Sequence, residues 1–194
     1  MNLPEIFERT RQSLDLPAPG ADDAALDGVG KTIPFSMLPQ QKLQWCWAAV
    51  SVSVSKFYDA QSPWTQCRLV SEEFPPNNCC ASPGSGACNV PWYLEFGLSR
   101  VGHLSNKVDS TISFADVGSE LNDERPLCCL IIWPDGTGHF VVLNGFATDF
   151  SATPPAELVS VQDPKYGPSD YLFQKFAVSY RKVGTWTSTY FTQA

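Results

Sequence analysis

From residue 127 to residue 191 one pattern recurs five times: a short run rich in apolar, β-branched or aromatic residues, closed by a turn of Gly, Pro or Asp. The runs are 127–133, 139–146, 158–164, 175–180 and 185–191. Such runs read as strands, and their short turns imply an antiparallel sheet. The front half of the chain has a different period. Over residues 45–58, Ser and Val alternate as in a strand, but Trp47, Val50, Val54 and Phe57 recur at helical spacing, which predicts a buried helix. The serines fit there because small side chains allow close packing and their hydroxyls can bond back to the preceding turn. Residues 91–102 and 114–123 read as two further short helices, and 60–90 as a loop-rich insert with four cysteines. Helices first and an antiparallel sheet second is an α+β arrangement.

A chain of 194 residues, 43% hydrophobic and 12% aromatic, makes one domain with a real core and room for a short appendage. Residues 3–16 predict a short amphipathic helix, and 17–32 a linker of Pro, Gly and Asp, so the domain proper is expected over 33–194. Residues 1–32 are then a pro-segment, a docking tail, an export address or a loosely packed tail without a role of its own, and a pro-segment would be cut near Gly28–Phe35. A formal charge of −7 lacks the basic footprint of a nucleic-acid binder or of a protein held on anionic lipid. No run reaches the roughly 18 apolar residues of a membrane span, and the first residues lack the basic start and apolar core of a Sec signal peptide. The protein is expected to act as a monomer, in the cytoplasm or exported as an effector by a non-Sec route.

Cys46 stands where a Gln-rich turn becomes the first helix. A helix N-terminus lowers a thiol pKa through its dipole and free amides, and an imidazole in reach completes a nucleophile. Of the two histidines, His139 begins an apolar strand after a Gly turn, whereas His103 lies in a loop without such a setting. Asp163, at the end of the next predicted strand and before Pro164, is the candidate to orient the imidazole; Asp149 and Asp135 are rivals placed in turns. Gln40, six residues before Cys46, is the candidate oxyanion donor beside the Cys46 backbone N–H, with Gln41 in reserve. Trp47 is expected to pack beneath the helix start. The chemistry needs no cofactor and no metal.

Gln40, Cys46-Trp47-Ala48-Ala49, the later Gly138-His139-Phe140-Val141-Val142 and Asp163-Pro164 with Gly167 together resemble the papain-like cysteine peptidases. The likeness is to the compact bacterial branch of avirulence-type effector proteases, and also to the double-glycine leader peptidases. It spans about residues 34–192 and implies a papain-like fold, with the nucleophile's helix packed on a C-terminal antiparallel sheet. It also implies a Cys46–His139–Asp163 triad with Gln40 in the oxyanion hole, and a peptide or protein substrate. The plant-type Cys-Gly-x-Cys-Trp signature is absent, and the Cys-to-His gap is shorter than the roughly 130 residues of plant papains. The same triad serves hydrolysis and other acyl transfers (ligation, transamidation, deamidation), and the fold alone would serve a binding module.

Cys67, Cys79, Cys80 and Cys88 share the insert, where disulfide staples, unpaired thiols and a zinc site compete. Cys128 and Cys129 fall on opposite faces of an apolar strand and read as buried thiols. Trp64, Trp92 and Trp133 are candidates to wall a cleft. The acidic balance of the chain favours basic or neutral peptides.

Overall fold

A computed structural model describes residues 28–194. The elements are β1 (Gly28–Thr32), α1 (Cys46–Tyr58), α2 (Gln66–Glu73), α3 (Leu94–Val101), β2 (Leu104–Val108), α4 (Phe114–Asn122), β3 (Leu127–Ile132), β4 (Gly138–Asp149), β5 (Ala156–Gln162), β6 (Ser169–Leu172), α5 (Phe173–Ser179) and β7 (Thr185–Thr192). The helix expected over 3–16 and the linker over 17–27 lie outside the described residues.

The strands form one antiparallel sheet in the order β2-β7-β3-β4-β5-β6. Its spine is β4, a 12-residue strand almost wholly buried, as expected of an apolar run with neighbours on both edges. One edge of β4 takes β5. The other takes β3 as far as Leu143, and β1 from Gly145 onward. Residues 28–32, which read as the end of a linker, are therefore a paired strand. Ile33 and Phe35 follow it into the core, so a cut between Gly28 and Phe35 would have to break sheet structure.

Every residue from Cys46 to Ser55 is buried, which makes α1 the central helix of the molecule. Its serines do what the sequence suggests: Ser51 and Ser53 donate to the carbonyls of Trp47 and Ala49, at 2.9 and 2.6 Å. Their small size admits α3 at close range, since a Cβ on Gly97 would stand 2.5 Å from the Ser51 hydroxyl.

The run 175–180, expected as a strand, is instead part of helix α5. In a strand Phe176, Val178 and Tyr180 would share one face, yet Val178 is 66% exposed. The apolar set that packs is Phe173, Phe176, Ala177 and Tyr180, with the helical spacing i, i+3, i+4, i+7. The edge of β5 is taken by β6, which the sequence did not reveal, so no sheet position remains for this run. Short α2 and β2 are likewise additions. Among the described residues no helix is long and apolar enough to cross a membrane.

The insert is stapled by two disulfides, Cys67–Cys80 and Cys79–Cys88. Cys128 and Cys129 remain thiols, and burial pushes both well above the usual thiol pKa.

Candidate active site

The start of α1 carries no side-chain cap, because its N-cap residue is Trp45. The first N–H groups of a helix have no intrahelical acceptor, so Cys46 sits among unpaired donors at the positive end of the helix dipole. The insert braces this point from outside. Trp45 Nε1 donates to the Cys88 carbonyl at 2.7 Å, Gln44 N to Asn89 Oδ1 at 3.1 Å, and Trp47 Nε1 to the Val90 carbonyl at 3.3 Å. Only 8% of Cys46 is exposed, a narrow opening that suffices for a thiol at the floor of a cleft.

His139, at the start of β4, meets this helix tip. Its Nε2–H donates to Asp163 Oδ1 at 2.9 Å, and it lines one cleft with Cys46, whose sulfur is near enough to act on its charge. Burial pulls the imidazole pKa down, but the Asp163 carboxylate and then the Cys46 sulfur outweigh it and raise it to about 9.

Asp163 directly follows β5 and is itself saturated. Its Oδ1 also accepts from the backbone N–H of Lys165 and Tyr166, at 2.7 and 2.9 Å, and its Oδ2 accepts from the Tyr180 hydroxyl at 2.7 Å. Pro164 stops the strand and lets the chain turn back over the carboxylate. Burial works against the charge, yet the bonds from His139, Tyr180 and Lys165 hold the carboxyl below its ordinary pKa.

Sequence patterns did not reveal Tyr180 or Tyr166, whereas Trp133 is, as expected, a wall of the cleft. Trp133 lies nearly parallel to the His139 ring at 6.4 Å between centroids, and Tyr166 meets it edge-on at 6.0 Å. Trp64 and Trp92 serve elsewhere: Trp64 beneath Arg68, Trp92 bonded to Glu73. The cleft over the thiol and imidazole has a volume of about 190 Å³ and is bounded by Leu43, Gln44, Trp133, Thr137, Lys165 and Tyr166. A larger hollow of about 480 Å³, between the start of β5 and α5, contains none of these groups.

Gln40 is beside the site but turned into its own loop. Its Nε2 donates to the carbonyls of Lys42 and Leu43, at 3.0 and 2.7 Å, while its Oε1 is buried without a hydrogen-bond partner. Gln41 is exposed and its N–H is bound to Gln66. The rival carboxylates are elsewhere: Asp135 binds Thr137, and Asp149 binds Ser151 at the far end of β4. His103 stacks on Tyr58 and bonds the Gln193 carbonyl.

A buried thiol at a bare helix N-terminus, paired with an imidazole that a carboxylate orients, has the parts needed for nucleophilic attack on a carbonyl. The structure of xylellain, a cysteine protease from Xylella fastidiosa, is similar over 88% of each chain, with a TM-score of 0.46 and 13% identity. No curated protein matches the sequence. The family model described as papain-like cysteine protease AvrRpt2 matches residues 29–181, from β1 through the Tyr180 that bonds Asp163. By that match over most of its length, the chain belongs to the AvrRpt2 family of papain-like cysteine proteases and is a cysteine peptidase.

Proposed function

We propose that the protein hydrolyses peptide bonds through a thioacyl-enzyme formed on Cys46, with His139 as proton carrier and Asp163 as the group that orients it. The observation that carries this reading is that His139, bonded to the Asp163 carboxylate, lines one cleft with Cys46. The thiolate attacks the scissile carbonyl carbon, and the carbonyl electron pair moves to oxygen. The imidazolium of His139 then gives its proton to the departing amine as the C–N bond breaks. In the second half, His139 takes a proton from water, the hydroxide attacks the thioester, and the thiolate leaves.

The oxyanion of each intermediate is taken by the backbone N–H of Cys46 and by Gln40. For that, Gln40 exchanges its longer bond, the one to Lys42, for the substrate oxygen. A neutral bond is replaced by a charge-assisted one.

Labelling with an epoxide-type cysteine-peptidase inhibitor tests the site. Intact mass and peptide mapping of wild type, Cys46→Ala and His139→Ala are expected to show one adduct, on Cys46, whose formation needs His139. Equal labelling of several cysteines, or full labelling without His139, would remove the assignment. Gln40→Ala is expected to lower kcat by about a hundredfold at an unchanged melting temperature, as loss of an oxyanion donor does; a loss of stability at nearly full kcat would make Gln40 a brace of its loop.

A further inference from the structure

A second hollow of about 420 Å³ continues from the cleft, sharing Trp133, Thr137, Lys165 and Tyr166 with it. It lacks Cys46 and extends instead to Arg181, so it lies on the side of the imidazole walls away from the thiol. In the proposed mechanism the acyl half of the substrate stays on the thiol, while the amine half takes its proton from His139. The chain after the scissile bond therefore leaves past the imidazole, between Trp133 and Tyr166, into this hollow.

The charge there is distinctive. The Arg181 guanidinium carbon lies 4.1 Å from the centroid of the Tyr166 ring, and Lys165 Nζ lies 4.9 Å from the same centroid. Among the described residues neither cation is in an ion pair. Asp135 also lines the hollow, but its carboxylate takes the N–H and hydroxyl of Thr137. Two cations on one ring repel each other unless an anion joins them. For Arg181 the backbone sets this position: Arg181 and Lys182 have φ of 47° and 80°, left-handed values for side-chain-bearing residues, in the turn closed by the Tyr180–Gly184 bridge. The same turn sets Tyr180 on Asp163, so the hollow and the candidate triad are built by one piece of chain.

We propose that this hollow is the leaving-group subsite and that it receives a carboxylate, within two residues after the scissile bond, between Lys165 and Arg181. The proposal rests on the peptidase reading above. It runs against the expectation from net charge alone: the chain is acidic, but the wall that the departing segment meets is basic. The carboxylate comes from an Asp or Glu side chain or from the C-terminus of the substrate.

The test is a proteome-derived peptide library incubated with wild type, Cys46→Ala, Arg181→Glu and Lys165→Gln, with cut sites read by mass spectrometry. Cuts that need Cys46 are expected, with Asp or Glu enriched roughly fivefold at one of the two positions after the cut, the factor of one partly exposed ion pair. Arg181→Glu is expected to replace that enrichment by Lys or Arg, and Lys165→Gln to weaken it, which keeps the test decisive if one variant does not fold. A C-terminally amidated copy of the library separates the two sources. Enrichment that survives amidation identifies side chains, and a preference for cuts near the chain end that amidation abolishes identifies the terminal carboxylate. Cys46-dependent cutting without acidic bias, or with a bias that both variants keep, overturns the subsite and leaves the peptidase reading intact. No cutting, or cutting that Cys46→Ala retains, overturns both.

Discussion

Tyr180 donates its hydroxyl to Asp163 Oδ2 at 2.7 Å, on the opposite side of the carboxylate from His139. Both partners are almost fully buried, and burial followed by the adjacent carboxylate holds the phenol proton well above its ordinary pKa, so the bond is always donated in one direction. Tyr180→Phe removes that donor alone. The carboxylate should then move to expose its orphaned oxygen, and the imidazole should lose part of its alignment. The expected result is a drop in stability of about 2 kcal/mol and a several-fold fall in kcat with KM nearly unchanged. Urea denaturation and steady-state kinetics check it; a variant with wild-type kcat would show that His139 and the backbone bonds of Lys165 and Tyr166 hold Asp163 without help.

The pH dependence follows from the His139 pKa of about 9, raised against the opposing effect of burial by Asp163 and then Cys46. In an unfolded chain the same ring titrates near 6.5. The folded state thus holds the proton more tightly. Its stabilising effect is complete below about pH 6.5, declines as pH rises, and is gone above about 9. Turnover should show an alkaline limb near pH 9, where the imidazolium is lost. Asp163→Asn should move that limb to lower pH and flatten the fall in urea midpoint between pH 6.5 and 9. An alkaline limb at the same pH in Asp163→Asn would mean that another group sets it.

The insert bears on the thiol through the Cys88 carbonyl and Asn89, which anchor Trp45 and Gln44. Cys79–Cys88 closes a loop over 9 residues of sequence directly behind those anchors, whereas Cys67–Cys80 lies farther back. Replacing Cys79 and Cys88 together by Ser should cost about 2.5 kcal/mol and lower kcat. The same change at Cys67 and Cys80 should lower stability with less effect on rate. Alkylation of the denatured protein should add three groups without reduction, on Cys46, Cys128 and Cys129, and seven after it. Equal kinetic losses from the two double mutants would detach the insert from the site.

Which features could be read from sequence depended on how local their cause is. The central helix announces itself through Trp47, Val50, Val54 and Phe57, and four strands of the sheet through apolar runs bounded by turns. Cys46 at a helix start, His139 at a strand start and Asp163 at a strand end are each placed by their own neighbours in the chain. Tyr180 is not: it reaches Asp163 only because residues 173–179 form a helix, and a short apolar run between turns, read as a strand, does not report that helix. Trp133 stands in sequence as one of three tryptophans that could wall a cleft, and only the β3–β4 hairpin, which brings it beside His139, singles it out from Trp64 and Trp92. The pairing of Cys67 with Cys80 rather than with an adjacent cysteine is set by how the insert folds around α2, and no spacing rule reports it.

Gly184 offers a way to move Trp133 without touching it. A Cβ at this position would stand 2.6 Å from Ile131 Cγ2 and 2.7 Å from Trp133 Cζ3, nearer than packed carbons come. Ile131 is buried and held in β3, so the indole is the part that yields. Because that indole lies parallel to the imidazole, Gly184→Ala should tilt it off His139, let water reach the His139–Asp163 bond and lower kcat by about tenfold, at a stability loss of about 1–3 kcal/mol from overpacking. The second half of the test is Trp133→Phe in the same background. A smaller ring leaves room for the new methyl, so the double variant should regain stability relative to Gly184→Ala while kcat stays below wild type. Kinetics and thermal melting of the three variants decide it: if Gly184→Ala keeps full kcat, the indole can shift without consequence and Trp133 is a wall of the cleft, not a shield of the imidazole.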